Sequence, residues 1–144
     1  MKKIKIIGLT LICLLITPLS VMAQVFDGSK PLYCAITDVI ECVPGGECQE
    51  VMPENVNLPN FLFINFKKKR ITASKEGGVQ RTSKIENRER VDGKLIVQGI
   101  EDGVEGVKDG LGWSIAISES TGKMVVTGSG DQVGFVMFGA CTTQ

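Results

Sequence analysis

Residues 111–141 read LGWSIAISESTGKMVVTGSGDQVGFVMFGAC, three short apolar runs separated by two glycine-containing turns and closed by a cysteine. In the first run Trp113, Ile115 and Ile117 alternate with Ser114, Ala116 and Ser118. Successive side chains of a strand point to opposite faces, so this period of two predicts a half-buried strand. Glu119-Ser120-Thr121-Gly122 reverses the chain, and the second run returns with Met124 and Val126 on one face, Val125 and Thr127 on the other. After Gly128-Ser129-Gly130-Asp131 the third run sets Val133, Phe135, Met137 and Cys141 against Val136, Phe138 and Ala140. A strand apolar on both faces is central, covered, or part of a contact surface. The stretch predicts an antiparallel meander.

Upstream, residues 84–91 and 94–100 flank Asp92-Gly93, a pair suited to a two-residue type I′ hairpin. Ile85 and Val91 are expected on one face of the first arm, which is otherwise charged, and Leu95-Ile96-Val97 forms the better-buried arm. Residues 61–66 are a dense apolar strand with three phenylalanines, followed by Lys67, Lys68, Lys69 and Arg70 and then by a further strand at 71–73. The four cations are expected at an exposed hairpin end, where lysine also discourages edge pairing. Residues 31–41 read as the first strand, with Cys34, Ile36 and Ile40 opposed to Tyr33, Ala35, Thr37 and Val39. Residues 50–59, 74–80 and 101–110 are surface connections, the second of them mobile. No long amphipathic helix interrupts this series. The pattern predicts an all-β fold, a small antiparallel meander barrel of the lipocalin-like kind, with a β-sandwich as the alternative.

At the N-terminus, Lys2, Lys3 and Lys5 precede an apolar run at 6–16 and a small-residue pattern, Val21-Met22-Ala23. Residues 1–23 are therefore expected to be a signal peptide, cleaved between Ala23 and Gln24, which places the mature chain in the periplasm or outside the cell. Residues 24–30 then form a flexible tail and 31–144 a single domain. The full chain has 16 basic and 16 acidic residues; three lysines leave with the leader, so the mature chain carries 13 against 16, a formal charge of −3. Such a balance does not recommend nucleic acid as a partner.

Four cysteines remain after cleavage: Cys34, Cys42, Cys48 and Cys141. In an exported chain an even number reads as two disulfides, for which three pairings exist. Cys42–Cys48 is favoured because it closes a short loop, leaving Cys34–Cys141 to tie the first strand to the last. A four-thiolate zinc site is the competing reading and fits poorly with an oxidising compartment.

The chain contains no histidine. That removes Ser-His-Asp and Cys-His catalysis and histidine-ligated metals. Asp38 and Glu41 are the nearest paired carboxylates in a strand, and a solvated pair is the simpler reading. The acid-rich loop at 101–110 lacks the alternating spacing of an EF-hand. No catalytic residue, metal or cofactor is expected, and the protein is not expected to be an enzyme. Arg88 and Arg90 alternate along one strand and are candidates for an anion site, with ion pairing to Glu86, Glu89 or Glu101 as the alternative. Trp113, the single tryptophan, is expected as a core anchor or as the wall of a ligand cavity. Lys67, Lys68, Lys69 and Arg70 are candidates for contact with an anionic membrane surface.

The run from Asp92 to Cys141, with DGKLIVQGIEDG, GWSIAISESTGKMVV and GDQVGFVMFGAC, together with LYCAITDVIEC at the first strand, resembles a recurring group of small exported bacterial proteins of unknown function. That resemblance implies export and a shared fold, and transfers no activity or ligand. In size and terminal cysteines the chain is also similar to periplasmic lysozyme-inhibitor barrels, a likeness of architecture alone. Two functions follow as expectations. The first is binding of a small apolar ligand or a protein partner, with Trp113, Arg88, Arg90, Val136 and Phe138 as contact residues. The second is a cell-envelope interaction or inhibitor protein acting through its charged loops.

Overall fold

The computed structural model describes residues 26–74, 80–103, 106 and 110–143. Nine strands lie among them: β1 (Leu32–Cys42), β2 (Cys48–Val51), β3 (Phe61–Asn65), β4 (Arg70–Ser74), β5 (Gln80–Val91), β6 (Lys94–Glu101), β7 (Leu111–Ser118), β8 (Lys123–Ser129) and β9 (Gly134–Thr143). Each pairs antiparallel with the next from β3 to β9, and β9 then pairs with β1 from Leu32↔Thr143 to Cys42↔Gly134. That last pairing closes an eight-stranded barrel, so the barrel expectation holds and the sandwich does not. β1 serves two neighbours on its other side: β3 along Leu32–Ala35 and β2 along Val39–Cys42.

Both disulfides form as the favoured pairing has them. Cys34 and Cys141 face each other in register across the β1–β9 seam, and Cys42 and Cys48 close the β1–β2 hairpin. The Asp92-Gly93 turn has positive φ at both residues, 49° and 70°, as a type I′ turn requires.

Inward-facing side chains fill the barrel. Leu32, Ile64, Leu95, Val97, Ile115, Ile117, Met124 and Val126 form its centre, and nothing polar other than Ser83 is buried among the described residues. Trp113 lies opposite Gly99, where its ring occupies the space a Cβ would need; glycine is what allows the indole to lie on the β6 backbone. The segment 50–59, expected only as a surface connection, begins inside β2 (Cys48–Val51), contains a single 3-10 turn, Pro53–Val56, and drops Leu58 into the core.

Three expectations need correction. Residues 26–30 are not a free tail. Phe26 is 3% exposed, its N–H donates to the Glu119 carbonyl at 3.2 Å, and its ring lies against Gly122 at the β7–β8 turn. Residues 24 and 25 lie outside the described residues, as do the leader at 1–23, loop residues 75–79, and residues 104, 105 and 107–109 of the acidic loop.

The second correction concerns β1. A register shift between Ile36 and Asp38 inserts an extra residue, so Val39 rather than Ile40 points inward and is fully buried. The third is its counterpart in β5. A shift between Ile85 and Asn87 keeps Ile85 inside but sends Val91 to the surface, at 57% exposure.

Candidate functional site

The outer wall formed by β8, β9, β1 and β3 carries a contiguous group of apolar side chains that face water, whereas Met52, Val91 and Ile100 are exposed elsewhere. Outward residues of β9 are Val136, Phe138, Ala140 and Thr142, the face that alternation assigned to them. Phe138 stands beside Val125 on β8, and Val136 beside Ile40, which the β1 bulge has turned outward. Ala140 and Phe61 flank Ala35, and Tyr33 stands between Phe63 and Thr142. The Tyr33 and Phe63 rings are in contact, with centroids 4.6 Å apart and tilted by 31°.

Exposure distinguishes this wall from ordinary half-buried strands. Phe61 is 56% exposed, Tyr33 42%, Phe138 39% and Val125 37%. At 150–250 Å² per aromatic side chain, the three rings alone leave roughly 300 Å² open to water. Patches of that size on a soluble protein mark contact sites more often than chance placement does. The rim is polar. At the bulge, Thr37 donates its hydroxyl to the Asp38 carboxylate at 2.6 Å, and Lys123 borders Ala140 on the other side.

The sequence identified Val136 and Phe138 as part of this surface and missed Tyr33, Phe61 and Phe63. The signal was present: residues 61–66, like β9, are apolar on both faces, with Leu62 and Ile64 turned inward.

Trp113 is half-buried and packs against the core, and the apolar cavity beside it is small. Trp113, Ile115, Met137 and the capping Leu58 line a space of about 60 Å³. Ligand cavities for drug-sized molecules run to roughly 300–1,000 Å³.

Arg88 and Arg90 do not combine into an anion site. Both pair with inward positions of β6, Val97 and Leu95, and so emerge at the barrel end that Phe26 plugs. Arg88 donates to the Gly28 carbonyl at 3.3 Å and lies over the Phe66 ring, 5.6 Å from its centroid. Arg90 grips Glu119 with two donors, one of them Nη2 to Oε2 at 3.0 Å. Neither contacts Glu86, Glu89 or Glu101 in an ion pair. The hydrogen bond from Arg90 holds the Glu119 carboxyl below its ordinary range, and the Arg90 guanidinium is raised in turn.

Lys67, Lys68, Lys69 and Arg70 form the exposed β3–β4 turn and the first residue of β4, as expected. Asp38 accepts from Thr37, while Glu41 pairs across to Phe135 three residues further along β1. Among the described residues no group of three His, Cys, Asp or Glu side chains is placed to hold a metal ion.

No family model matches the chain, and no curated protein matches it in sequence.

Proposed function

We propose that this is a non-enzymatic binding protein of an oxidising, extracytoplasmic compartment that docks a protein partner on the outer wall of β8, β9, β1 and β3. One observation carries the reading: the barrel is filled with its own side chains, while a continuous apolar wall bearing Phe61, Tyr33, Phe138 and Val125 stays open to water. Fully buried aromatic residues inside a polar rim are the usual energetic centre of a protein interface. A small apolar ligand, the other occupant the sequence suggests, is less well served: the apolar cavity beside Trp113 is about 60 Å³, and the larger space that Trp113 borders, about 490 Å³, is an open groove with Glu86, Asn87, Gln98 and Thr127 in its walls. The basic start, apolar run and small-residue pattern of residues 1–23, the two disulfides and the likeness to small exported proteins support the compartment.

The test is site-specific photo-crosslinking in cells, with the crosslinking residue at position 138 on this wall or at position 82 on the opposite one. A discrete adduct from position 138, absent from position 82 and lost when Phe61 is changed to Arg, is the expected result. No adduct at 138, or an equal one from 82, overturns the proposal. An adduct of twice the chain mass identifies the partner as a second copy.

A further inference from the structure

We infer that the β3–β4 turn and the facing segment of β5 form a binding site for a phosphate group. Arg70 and Lys84 are directly opposite each other in the β4–β5 ladder, and both point outward. Opposed residues in an antiparallel pair lie roughly 5 Å apart at Cα, a spacing at which two like charges repel. Glu86 relieves the charge of Lys84 only on the exposed face of β5, and an oxyanion seated beside Arg70 turns the remaining repulsion into attraction. Arginine offers a planar fork matched to phosphate geometry and lysine a point charge, the usual complementary pair for such a group.

Charge accounting around the pair favours an anion. Lys68, Lys69, Arg70 and Lys84 line one surface groove of about 500 Å³, whose carboxylates are Glu86, Glu101 and Asp102. Two of these three are already taken: Glu86 lies 3.0 Å from Lys84, and Glu101 lies 3.0 Å from Arg81. Lys67, Lys68, Lys69 and Arg70 make no ion pair with any described residue. Lys84 is held by Glu86 in turn, so the groove's unpaired charges are Lys68, Lys69 and Arg70 against Asp102.

The backbone holds them in place. The Asn65 side-chain oxygen accepts the Lys68 N–H at 2.9 Å, and the Lys69 carbonyl accepts the Ile85 N–H at 3.0 Å. Lys69 itself sits at a φ of +50°, a conformation that non-glycine residues rarely adopt. The turn is therefore tied to β5, and the cations are presented on a fixed frame rather than a loose loop.

The shared chemistry is a phosphate group, carried by a free phosphorylated compound or by a lipid headgroup. Two probes separate these sources: inorganic pyrophosphate, followed by backbone amide shifts, and phosphatidylglycerol vesicles, followed by co-sedimentation against phosphatidylcholine vesicles. The variant is Arg70→Gln with Lys84→Gln; the control, matched in charge, is Lys94→Gln with Lys123→Gln. The expected result is pyrophosphate-induced shifts centred on residues 67–70 and 84, weakened about tenfold or more in the site variant and unchanged in the control. Vesicle binding with the same dependence on Arg70 and Lys84 assigns the site to lipid headgroups; pyrophosphate binding without it assigns a free ligand. If neither probe binds, or if both variants lose binding equally, the site does not exist and the cations act only as solvated charge.

Discussion

At the scale of single residues, the Arg90–Glu119 pair connects structure to pH. Arg90 reaches from the end of β5 to the β7–β8 turn, whose Glu119 carbonyl also receives the Phe26 N–H. The pair therefore secures the plug at the closed end of the barrel. The Glu119 carboxyl is depressed from its ordinary value of 4.5, first by the hydrogen bond from Arg90. A carboxyl that binds its proton less readily when folded stabilises the fold above its unfolded value, and that stabilisation is lost as pH falls through the folded value. Arg90→Gln should flatten the fall in thermal midpoint between about pH 6 and pH 3, with little change in shape above it. A full pH series of melting curves for the two proteins checks this, and an acid limb of unchanged slope rejects the role assigned to the pair. Because the Arg90 side chain is 59% exposed, although Glu119 is only 18% exposed, solvent screens the pair and the effect belongs to the slope more than to the plateau.

At the scale of elements, two inserted residues explain most of what alternation misread. Period-two reading assigns faces correctly in β7, β8 and β9, where pairing runs without interruption from Gly112↔Ser129 to Ile117↔Met124 and from Ser129↔Gly134 to Lys123↔Ala140. It fails in β1 beyond Ile36 and in β5 beyond Ile85, where a bulge reverses every later side chain. A bulge is decided by the partner strand's register, which a local pattern does not contain. The burial of Phe26 was illegible for a related reason: a lone phenylalanine among small and polar residues has no period to read. The aromatic outer wall was half legible, since β9 and residues 61–66 each show two apolar faces but do not say which strands they lie beside. The β1 bulge makes a sharp contrast between neighbours. Val39→Ala should cost about 2 kcal/mol by emptying core space, whereas Ile40→Ala, on the outer wall, should cost under about 1 kcal/mol. Denaturant unfolding of the two variants settles the order, and a larger loss at Ile40 would restore the unbroken alternation.

At the scale of the whole molecule, the barrel is a meander whose closure depends on one seam. Every other pair in the wall joins strands adjacent in sequence, or in the case of β1 and β3 separated only by the short β2, but β9 must find β1 across nearly the entire domain. Contacts of that range are entropically the most expensive to form from an unfolded chain. Cys34–Cys141 lies in that seam and spans 107 positions of sequence, whereas Cys42–Cys48 spans 6. In the chain-entropy account the long bridge is worth about 4–5 kcal/mol and the short one about 2 kcal/mol, with measured values often smaller. The double variant Cys34→Ala/Cys141→Ala should therefore lose at least twice the unfolding free energy lost by Cys42→Ala/Cys48→Ala. The two losses also differ in where they appear. Opening the seam bridge should raise amide hydrogen exchange along both β1 and β9, while opening the hairpin bridge should raise it only around β2. Equal losses, or exchange confined to β2 in both variants, would mean that side-chain packing alone closes the barrel. The seam also underlies the outer wall, because Tyr33, Ala35 and Ile40 reach Phe138, Ala140 and Val136 only across it. A chain unclasped there should lose the wall-dependent crosslink at position 138 along with its stability, whereas the hairpin variant should keep it.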